Sequence, residues 1–319
     1  MERFNNWMAY KFDNGPINGN KITKNSVFKL VFSENINCQD MNYFEALKYN
    51  ARTVAENYPG TFDVLLSGGI DSEIVVRLNH LLKIKQNVFV FKLENDYNIK
   101  DVQSAKLICK NLDIKLNIID WNLKKWIEND AIDIYQKTFS PLLERMVRYA
   151  WFEYFDNVIV MGEGEPYWKR DLEDDYTKPS KWHLYWVEDY FMSSIYANRI
   201  GQKVIGEWYN YTPEVVKSFH KLPIVKNLLA DKFKGKKSCW SLRTDIHREI
   251  FPDIVPKFKL VGYEGLSYPF SKPNFMTDFQ KEIMKGTSNT GYKFTEQQID
   301  NMNLGLTCDE MFTANYYDC

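Results

Sequence analysis

The sequence is poor in the residues that hold small disulfide-bonded or zinc-bound folds together. Its five cysteines are odd in number and widely spaced, and no two of them form a C-x-x-C pair. This pattern argues against a disulfide framework and against a cysteine metal site. We therefore expect a reducing, cytoplasmic setting.

Long apolar runs and an excess of one charge are also absent. No run approaches the roughly 18 apolar residues that a bilayer crossing requires, and the start MERFNNWMAYKFDNG lacks the order of a secretory signal. The 41 basic and 42 acidic residues leave a net charge of −1. We therefore expect neither membrane binding nor a general attraction for nucleic acid, although a local basic patch is not excluded.

The chain is long enough to bury a large core. It has 319 residues, of which 45% are hydrophobic and 16% aromatic. This length suits one large α/β unit or two lobes. We divide it into a small β-containing segment at 1–40, an ATP-binding α/β domain at 41–170, and a mainly helical lobe with an irregular tail at 171–319.

Apolar runs of strand length alternate with helical patterns in the first half of the chain. The runs are FDVLL, NVFVFKL, IKLNIID and NVIVM, and helical spacing separates the first three, as in EIVVRLNHLLK and KDVQSAKLICKN. A further helix is expected from Met41 to about Tyr58. This alternation predicts an α/β fold with a doubly wound parallel sheet.

Beyond Gly164 the pattern changes to Trp- and Tyr-rich stretches such as KWHLYWVEDYFMSSIYANRI, with few strand signals. A mainly helical lobe is expected from about 170 to 260. Thr212, Pro213 and Glu214 have the order of an N-cap, a first-turn proline and a first-turn acid, so they predict a helix start.

The segment LLSGGIDSE places two of the chain's 15 glycines between a strand and a helix. Glycines in such a turn let a phosphate reach the free N–H groups of the helix start, which a side chain would block. The turn is not a Walker loop, since no G-K-[ST] follows. For a bare glycine pair, a plain strand-to-helix turn is the alternative. The predicted nucleotide-binding residues here are Leu66, Ser67, Gly68, Gly69, Asp71 and Ser72, with Asp71 also able to hold Mg²⁺.

SGGIDS at 67–72 resembles the pyrophosphate loop of the N-type ATP pyrophosphatases, the PP-loop superfamily with the adenine nucleotide alpha hydrolase-like fold. Its members cleave ATP between the α and β phosphates to adenylate a substrate. MGEG at 161–164 resembles the S-G-E-G stretch of asparagine synthetase and β-lactam synthetase. The segment 237–265 resembles their late segment, which ends in R-x-K and an acid-glycine pair. The resemblance covers roughly 41–268.

The resemblance implies roles for three further residues. Lys259 of KFK matches the lysine that contacts the leaving pyrophosphate, and Glu163 matches the glutamate that removes a proton from the incoming amine or orients it. Gly162 precedes this glutamate and joins the predicted nucleotide-binding set. The alternative for Lys259 is a solvated surface lysine without a catalytic role. The alternative for Glu163 is a glutamate that only caps a helix.

The chain departs from the family after the G-E-G stretch. The family usually continues with a small residue and then Asp-Glu, but here Glu165, Pro166 and Tyr167 follow, and proline cannot bind a metal. We predict Glu165 as a second metal ligand beside Asp71. The alternatives are that Asp71 suffices alone, that catalysis is lost, or that another acid replaces Glu165, from the set Asp171, Glu173, Asp174 and Asp175.

The family's glutaminase domain would place a cysteine directly after the initiator, but Glu2 follows Met1 and the loop begins at 67. We therefore expect no ammonia from glutamine within this chain. The nucleophile is left open among free ammonia, an intramolecular amine, and ammonia from a separate partner subunit.

The resemblance implies an ATP-dependent carbon-nitrogen ligase with ATP and Mg²⁺ as cofactors. A small-molecule carboxylate is adenylated, pyrophosphate leaves, and an amine displaces AMP to give an amide. One alternative is a nucleobase- or tRNA-modifying enzyme, although the paired cysteines or zinc cluster of such enzymes are absent. A second is a non-catalytic ATP-binding protein, suggested by Pro166 and Tyr167.

Overall fold

The structure is a computed structural model. It describes residues 2–3, 5, 7–13, 27–32, 36–131, 133–134, 143–170, 182–187, 192–230, 232, 238–254, 290–294, 296–302 and 311–313. None of the helices in these ranges has the length and apolar character needed to cross a membrane.

The elements are numbered in chain order. The strands are β1 (Glu2–Arg3), β2 (Met8–Asp13), β3 (Val27–Phe32), β4 (Phe62–Leu65), β5 (Gln86–Leu93), β6 (Leu116–Trp121), β7 (Val158–Met161), β8 (Tyr167–Arg170), β9 (Trp182–Val187), β10 (Val204–Ile205), β11 (Thr290–Phe294) and β12 (Met311–Thr313). The helices are α1 (Tyr43–Asn57), α2 (Ile70–Leu81), α3 (Ile99–Asn111), α4 (Leu123–Asn129), α5 (Leu143–Trp151), α6 (Met192–Arg199), α7 (Pro213–His220), α8 (Pro223–Leu229), α9 (Arg243–Arg248) and α10 (Glu296–Asn301).

The central sheet has five strands in the order β10-β7-β4-β5-β6, and every neighbouring pair is parallel. Val64 of β4 and Val88 of β5 are fully buried, as expected for a sheet covered on both faces. The predicted α/β fold with a parallel sheet is therefore confirmed. The short edge strand β10 carries no clear sequence signal and was not predicted.

Helix α1 has the buried face that its apolar spacing predicts. The Asn42 side chain accepts a hydrogen bond from the backbone N–H of Glu45 at 2.9 Å and so caps the helix start. Ala46, Leu47 and Val54 are almost fully buried against the rest of the core.

Helix α7 begins at Pro213, as the sequence predicts, but Thr212 does not cap it through its side chain. Its hydroxyl donates instead to the amide oxygen of Asn50 at 3.0 Å. The amide nitrogen of Asn50 donates to the carbonyl of Trp208 at 2.8 Å. Asn50 of α1 therefore fixes the backbone between Trp208 and Thr212.

Two antiparallel sheets accompany the central one. Strands β1, β2 and β3 form the first, and it lies within the segment 1–40 for which β-structure was expected. The second has the order β12-β11-β9-β8. Its strand β9 corrects the helical prediction for Trp182–Val187, because these aromatic and branched residues pair with β8 and β11. Helices still dominate the described part of the chain between 192 and 248, as expected for this lobe.

Candidate functional site

The glycine loop lies at the carboxyl edge of the parallel sheet. It follows β4, which pairs with β7 on one side and β5 on the other. The Leu66 N–H donates to the carbonyl of Phe89 at 2.8 Å, and the Leu66 side chain is buried. Leu66 therefore anchors the loop to the sheet, and neither its N–H nor its side chain is available to a ligand.

The two glycines of the loop differ in backbone conformation and in the space around them. Gly68 has a φ of +71°, and a Cβ there would lie 2.6 Å from the Asp101 carbonyl oxygen and 2.7 Å from the Ser104 Cβ. Gly69 has an ordinary φ of −76° and is the N-cap of α2. A Cβ on Gly69 would lie 3.2 Å from the Ser67 hydroxyl oxygen. The first position requires glycine for both conformation and space, whereas a Cβ at the second would press only on the exposed Ser67 hydroxyl.

Two hydroxyls flank the start of α2. The Ser67 and Ser72 hydroxyl oxygens are 3.3 Å apart, and the Ser72 hydroxyl donates to the Gly69 carbonyl at 3.2 Å. Ser67 is exposed. The first turn of a helix presents N–H groups without intrahelical partners and the positive end of the helix dipole. The loop therefore has the donors and the polarity of an anion site.

Gly162 brings the G-E-G stretch against the start of α2. A Cβ on Gly162 would lie 2.6 Å from the Ser72 nitrogen and 2.7 Å from the Asp71 carbonyl oxygen. Tyr209 joins the same segments, because its hydroxyl donates to the Asp71 carbonyl at 3.2 Å and its N–H donates to the Glu163 carbonyl at 3.3 Å. The two motifs that are far apart in sequence are thus in direct contact.

The Glu163 side chain pairs with Arg148 of α5. The guanidinium contacts a carboxylate oxygen of Glu163, and the two side chains are 24% and 15% exposed. A carboxylate at this depth is still reachable from solvent. Arg148 therefore fixes the orientation of Glu163 without covering it.

Glu165 lies in a more enclosed cluster. Its side chain is only 6% exposed. The Arg243 Nε donates to one of its oxygens at 2.5 Å, and the His247 Nε2 lies 2.6 Å from the other. A terminal nitrogen of Arg243 also contacts Asp71. One guanidinium therefore joins the acid of the loop to the acid after the G-E-G stretch.

Burial dominates the electrostatics of this cluster. It raises the pKa of Glu165 to about 8 and lowers the pKa of Arg243 to about 9. The pKa of His247 falls to about 3, first through burial and then through the charge of Arg243, so its imidazole is neutral near pH 7. Pairing with Arg243 opposes the effect of burial on Glu165, so the charges of Glu165 and Arg243 depend on each other.

The same cluster has the composition of a cation site. Asp71, Glu165 and His247 each offer one ligand atom, and these atoms lie within 4.8 Å of one another. Carboxylate oxygens suit Mg²⁺ and Mn²⁺, and a neutral imidazole suits Mn²⁺ and the later transition metals. The residues therefore fit a divalent cation, and both predicted metal ligands, Asp71 and Glu165, take part.

The late segment reaches this site through contacts with β8. Lys169 pairs with Ser238 in an isolated antiparallel bridge, and the Trp168 N–H donates to the Cys239 sulfur at 3.1 Å. Helix α9 then places Arg243 and His247 one turn apart, so both side chains face Glu165.

Most predicted site residues come together in the structure. The loop, the G-E-G stretch and Glu165 form one continuous surface around the start of α2. Lys259 lies outside the described residues, as do the alternative metal ligands Asp171, Glu173, Asp174 and Asp175. Sequence reasoning missed Arg148, Tyr209, Arg243 and His247. Only the last two carried a signal, since they are four residues apart within the segment that resembles the family.

Comparisons with known proteins give only remote matches, all of them to solved structures. No family model and no curated protein matches the chain. Solved structures that match include NMN synthetase from Francisella tularensis, with 19% identity, 39% of this chain and 56% of that chain covered, and a TM-score of 0.31. NH3-dependent NAD synthetase from Campylobacter jejuni is 12% identical, the match covers 77% of this chain and 94% of that chain, and the TM-score is 0.30. Glutamine-dependent NAD+ synthetase from Acinetobacter baumannii is 11% identical, the match covers 80% of this chain and 51% of that chain, and the TM-score is 0.30.

Proposed function

We propose that this protein is an ATP-dependent carbon-nitrogen ligase of the asparagine synthetase-like type. It adenylates a substrate carboxylate, releases pyrophosphate, and forms an amide when ammonia or another amine displaces AMP. The site residues would bind ATP with a divalent cation. The source of the amine stays open, including supply by a partner subunit.

One observation carries this proposal: the glycine loop at the start of α2 lies in contact with the G-E-G stretch and shares an ion cluster with Glu165. The loop supplies backbone donors for phosphate oxygens. Asp71 and Glu165 supply carboxylates for the cation that accompanies the phosphates. Donors for the phosphates and carboxylates for their cation thus lie side by side, as the formation of an adenylate requires.

The roles of individual residues follow from their depth. Glu163 is 15% exposed, so it can reach an incoming amine and accept its proton, and Arg148 keeps its carboxylate in place. Glu165 is deeper and suits cation binding rather than proton transfer to a substrate. Lys259 is proposed to stabilise the leaving pyrophosphate, from sequence resemblance alone.

A non-catalytic ATP-binding protein is the second candidate. The ion pairs of Arg243 with Asp71 and Glu165 favour it, because they engage the oxygens that a catalytic cation would need. Such a protein would bind ATP and leave it intact.

Incubation of the purified protein with labelled ATP, Mg²⁺, ammonia and a panel of carboxylates separates the two candidates. Release of AMP and pyrophosphate that depends on a carboxylate supports the ligase. Tight ATP binding without release supports the second candidate. The absence of both binding and release contradicts both.

A Lys259→Ala variant tests the residue that is placed by resemblance alone. Pyrophosphate release should fall by about a hundredfold or more, while ATP binding changes little, because the lysine acts on charge that develops during the reaction. Equal activity in the variant removes this assignment.

A further inference from the structure

A positively charged side chain, that of Arg243, lies against the Asp71–Glu165–His247 cluster. Arg243 contacts both carboxylates, and its side chain is only 11% exposed. A buried carboxylate without a counter-charge is costly, so a cation beside the 6% exposed Glu165 stabilises its ionised form. In the structure the guanidinium supplies that charge.

The guanidinium and a metal ion would compete for the same oxygen atoms. The Arg243 Nε lies 2.5 Å from Glu165 Oε2, and its terminal nitrogen contacts Asp71 Oδ1. A divalent cation bound to these carboxylates would repel a guanidinium held against them. The two occupants therefore exclude each other at close range.

We propose that Arg243 is a built-in competitor of divalent metal: it holds the Asp71–Glu165–His247 site in the absence of metal, and metal binding displaces its side chain. The inference rests on the cation site of the proposed function and adds His247 as its third ligand. Displacement would rotate the long arginine side chain, which α9 carries at its first residue.

Metal displaces the guanidinium from the carboxylates only when the concentration of free divalent ion is high enough. Arg243 is tethered and places one positive charge between two carboxylates, whereas a divalent ion neutralises both charges. Removing the arginine abolishes the competition and also leaves the carboxylates without their counter-charge, so each effect tightens metal binding. One charge-assisted hydrogen bond to Glu165 and one ion pair with Asp71 would no longer have to be broken, and the affinity for the metal should rise by roughly tenfold or more.

The test uses the full chain and Mn²⁺ alone, without nucleotide, with free Mn²⁺ measured by electron paramagnetic resonance. Arg243→Met should bind one Mn²⁺ roughly tenfold or more tightly than the native protein. Arg248→Met is the matched control, because Arg248 lies on the same helix and its Nε donates to the Ile254 carbonyl at 3.1 Å, away from the acids. The Arg248→Met protein should bind Mn²⁺ with the same affinity as the native protein.

Two double variants assign the metal to these ligands, and a third variant tests the charge of residue 243. Adding Glu165→Gln or His247→Ala to Arg243→Met should abolish most of the gain, whereas Arg243→Lys should keep binding weak because it retains a cation. If a folded Arg243→Met protein binds Mn²⁺ no more tightly than the native protein, the proposal is wrong.

Crystals of the native protein soaked in Mn²⁺ give a test that does not depend on how the variants fold. We expect an anomalous peak among Asp71, Glu165 and His247, with the Arg243 side chain turned away. A peak beside an unmoved Arg243, or no peak at saturating Mn²⁺, overturns the proposal. Neither experiment uses ATP, so the competition can hold even if the protein releases no AMP, and it can fail in an active ligase.

Discussion

Gly162 packs so closely against Asp71 that a Cβ on the glycine would lie 2.7 Å from the Asp71 carbonyl oxygen. The contact is between the backbone after β7 and the first turn of α2. Neither backbone can give way without moving the strand or the helix. The relative position of the glycine loop and the G-E-G stretch is therefore set by the absence of a side chain at residue 162.

Gly162→Ala should destabilise the protein by about 1–3 kcal/mol, as overpacking does in a close-packed interior. It should also weaken ATP binding, because the start of α2 has to move. Gly60→Ala is the control: Gly60 has a φ of +136° and no atom within 4 Å of an added Cβ. We expect the control to lose stability while keeping ATP affinity, as measured by urea unfolding and calorimetry. Unchanged ATP affinity in Gly162→Ala would contradict this account.

Gly68→Ala should abolish most ATP binding. Gly201→Ala offers a matched comparison, since Gly68 and Gly201 have φ values of +71° and +79° but only Gly68 has neighbours within 4 Å. Both variants carry a conformational cost of about 1–2 kcal/mol. The additional loss of ATP binding should be confined to Gly68→Ala. Calorimetry with magnesium nucleotide measures it, and equal affinities in the two variants would argue against a phosphate-binding loop.

Glu163→Gln should slow amide formation by about a hundredfold or more, while adenylation of the carboxylate continues. The amide side chain keeps the shape of the carboxylate but cannot accept the proton of the amine. Glu153→Gln is the control, because Glu153 is exposed. The measurement compares AMP release in the presence and absence of ammonia. If the two variants form amide at the same rate, Glu163 is not the base.

Acid should destabilise the fold through His220. Its side chain is 1% exposed, and burial, followed by the charge of Lys226, lowers its pKa from 6.5 to about 4, while Asp300 opposes the shift. Between these pH values the unfolded chain binds the proton and the folded chain does not, so stability falls as the pH drops from 6.5 towards 4. The loss is at most about 3 kcal/mol.

Urea unfolding between pH 7 and 4.5 checks this prediction. His220→Gln should show a shallower fall in unfolding free energy with acidification than the native protein. His80→Gln should fall as steeply as the native protein, because His80 is exposed at the end of α2. The slope is the readout, since the absolute stability of His220→Gln also changes through lost packing on Trp168, whose ring centroid is 4.9 Å away.

The parallel sheet and the glycine loop were predictable because their signals are local. FDVLL and NVFVFKL are continuous apolar runs, and the glycines stand directly before a helical pattern. The strand at Trp182–Val187 was not predictable in this way, because its aromatic residues fit a helix face as well as a sheet. Pairing with β8 and β11, which are distant in sequence from one another, decides the outcome.

The acids of the site were predictable individually, but their partners were not. Asp71 and Glu165 follow from motif positions, whereas Arg148 and Tyr209 are ordinary residues of their segments, and Arg243 is marked only by its spacing to His247. An arginine that faces two carboxylates leaves no periodic mark in a sequence. Only the topology shows that one side chain reaches both acids.

Asp71, Glu165 and Arg243 come from three segments that are remote along the chain, and they meet only after β7 has paired with β4 and the late segment has reached β8. Such distant contacts close late in folding, because each carries a large loop-closure entropy. A chain that has formed its sheet but not docked its late segment would expose two acids with no counter-charge. The complete cluster therefore forms only when the late segment docks, because Arg243 and His247 reach the two acids at that step.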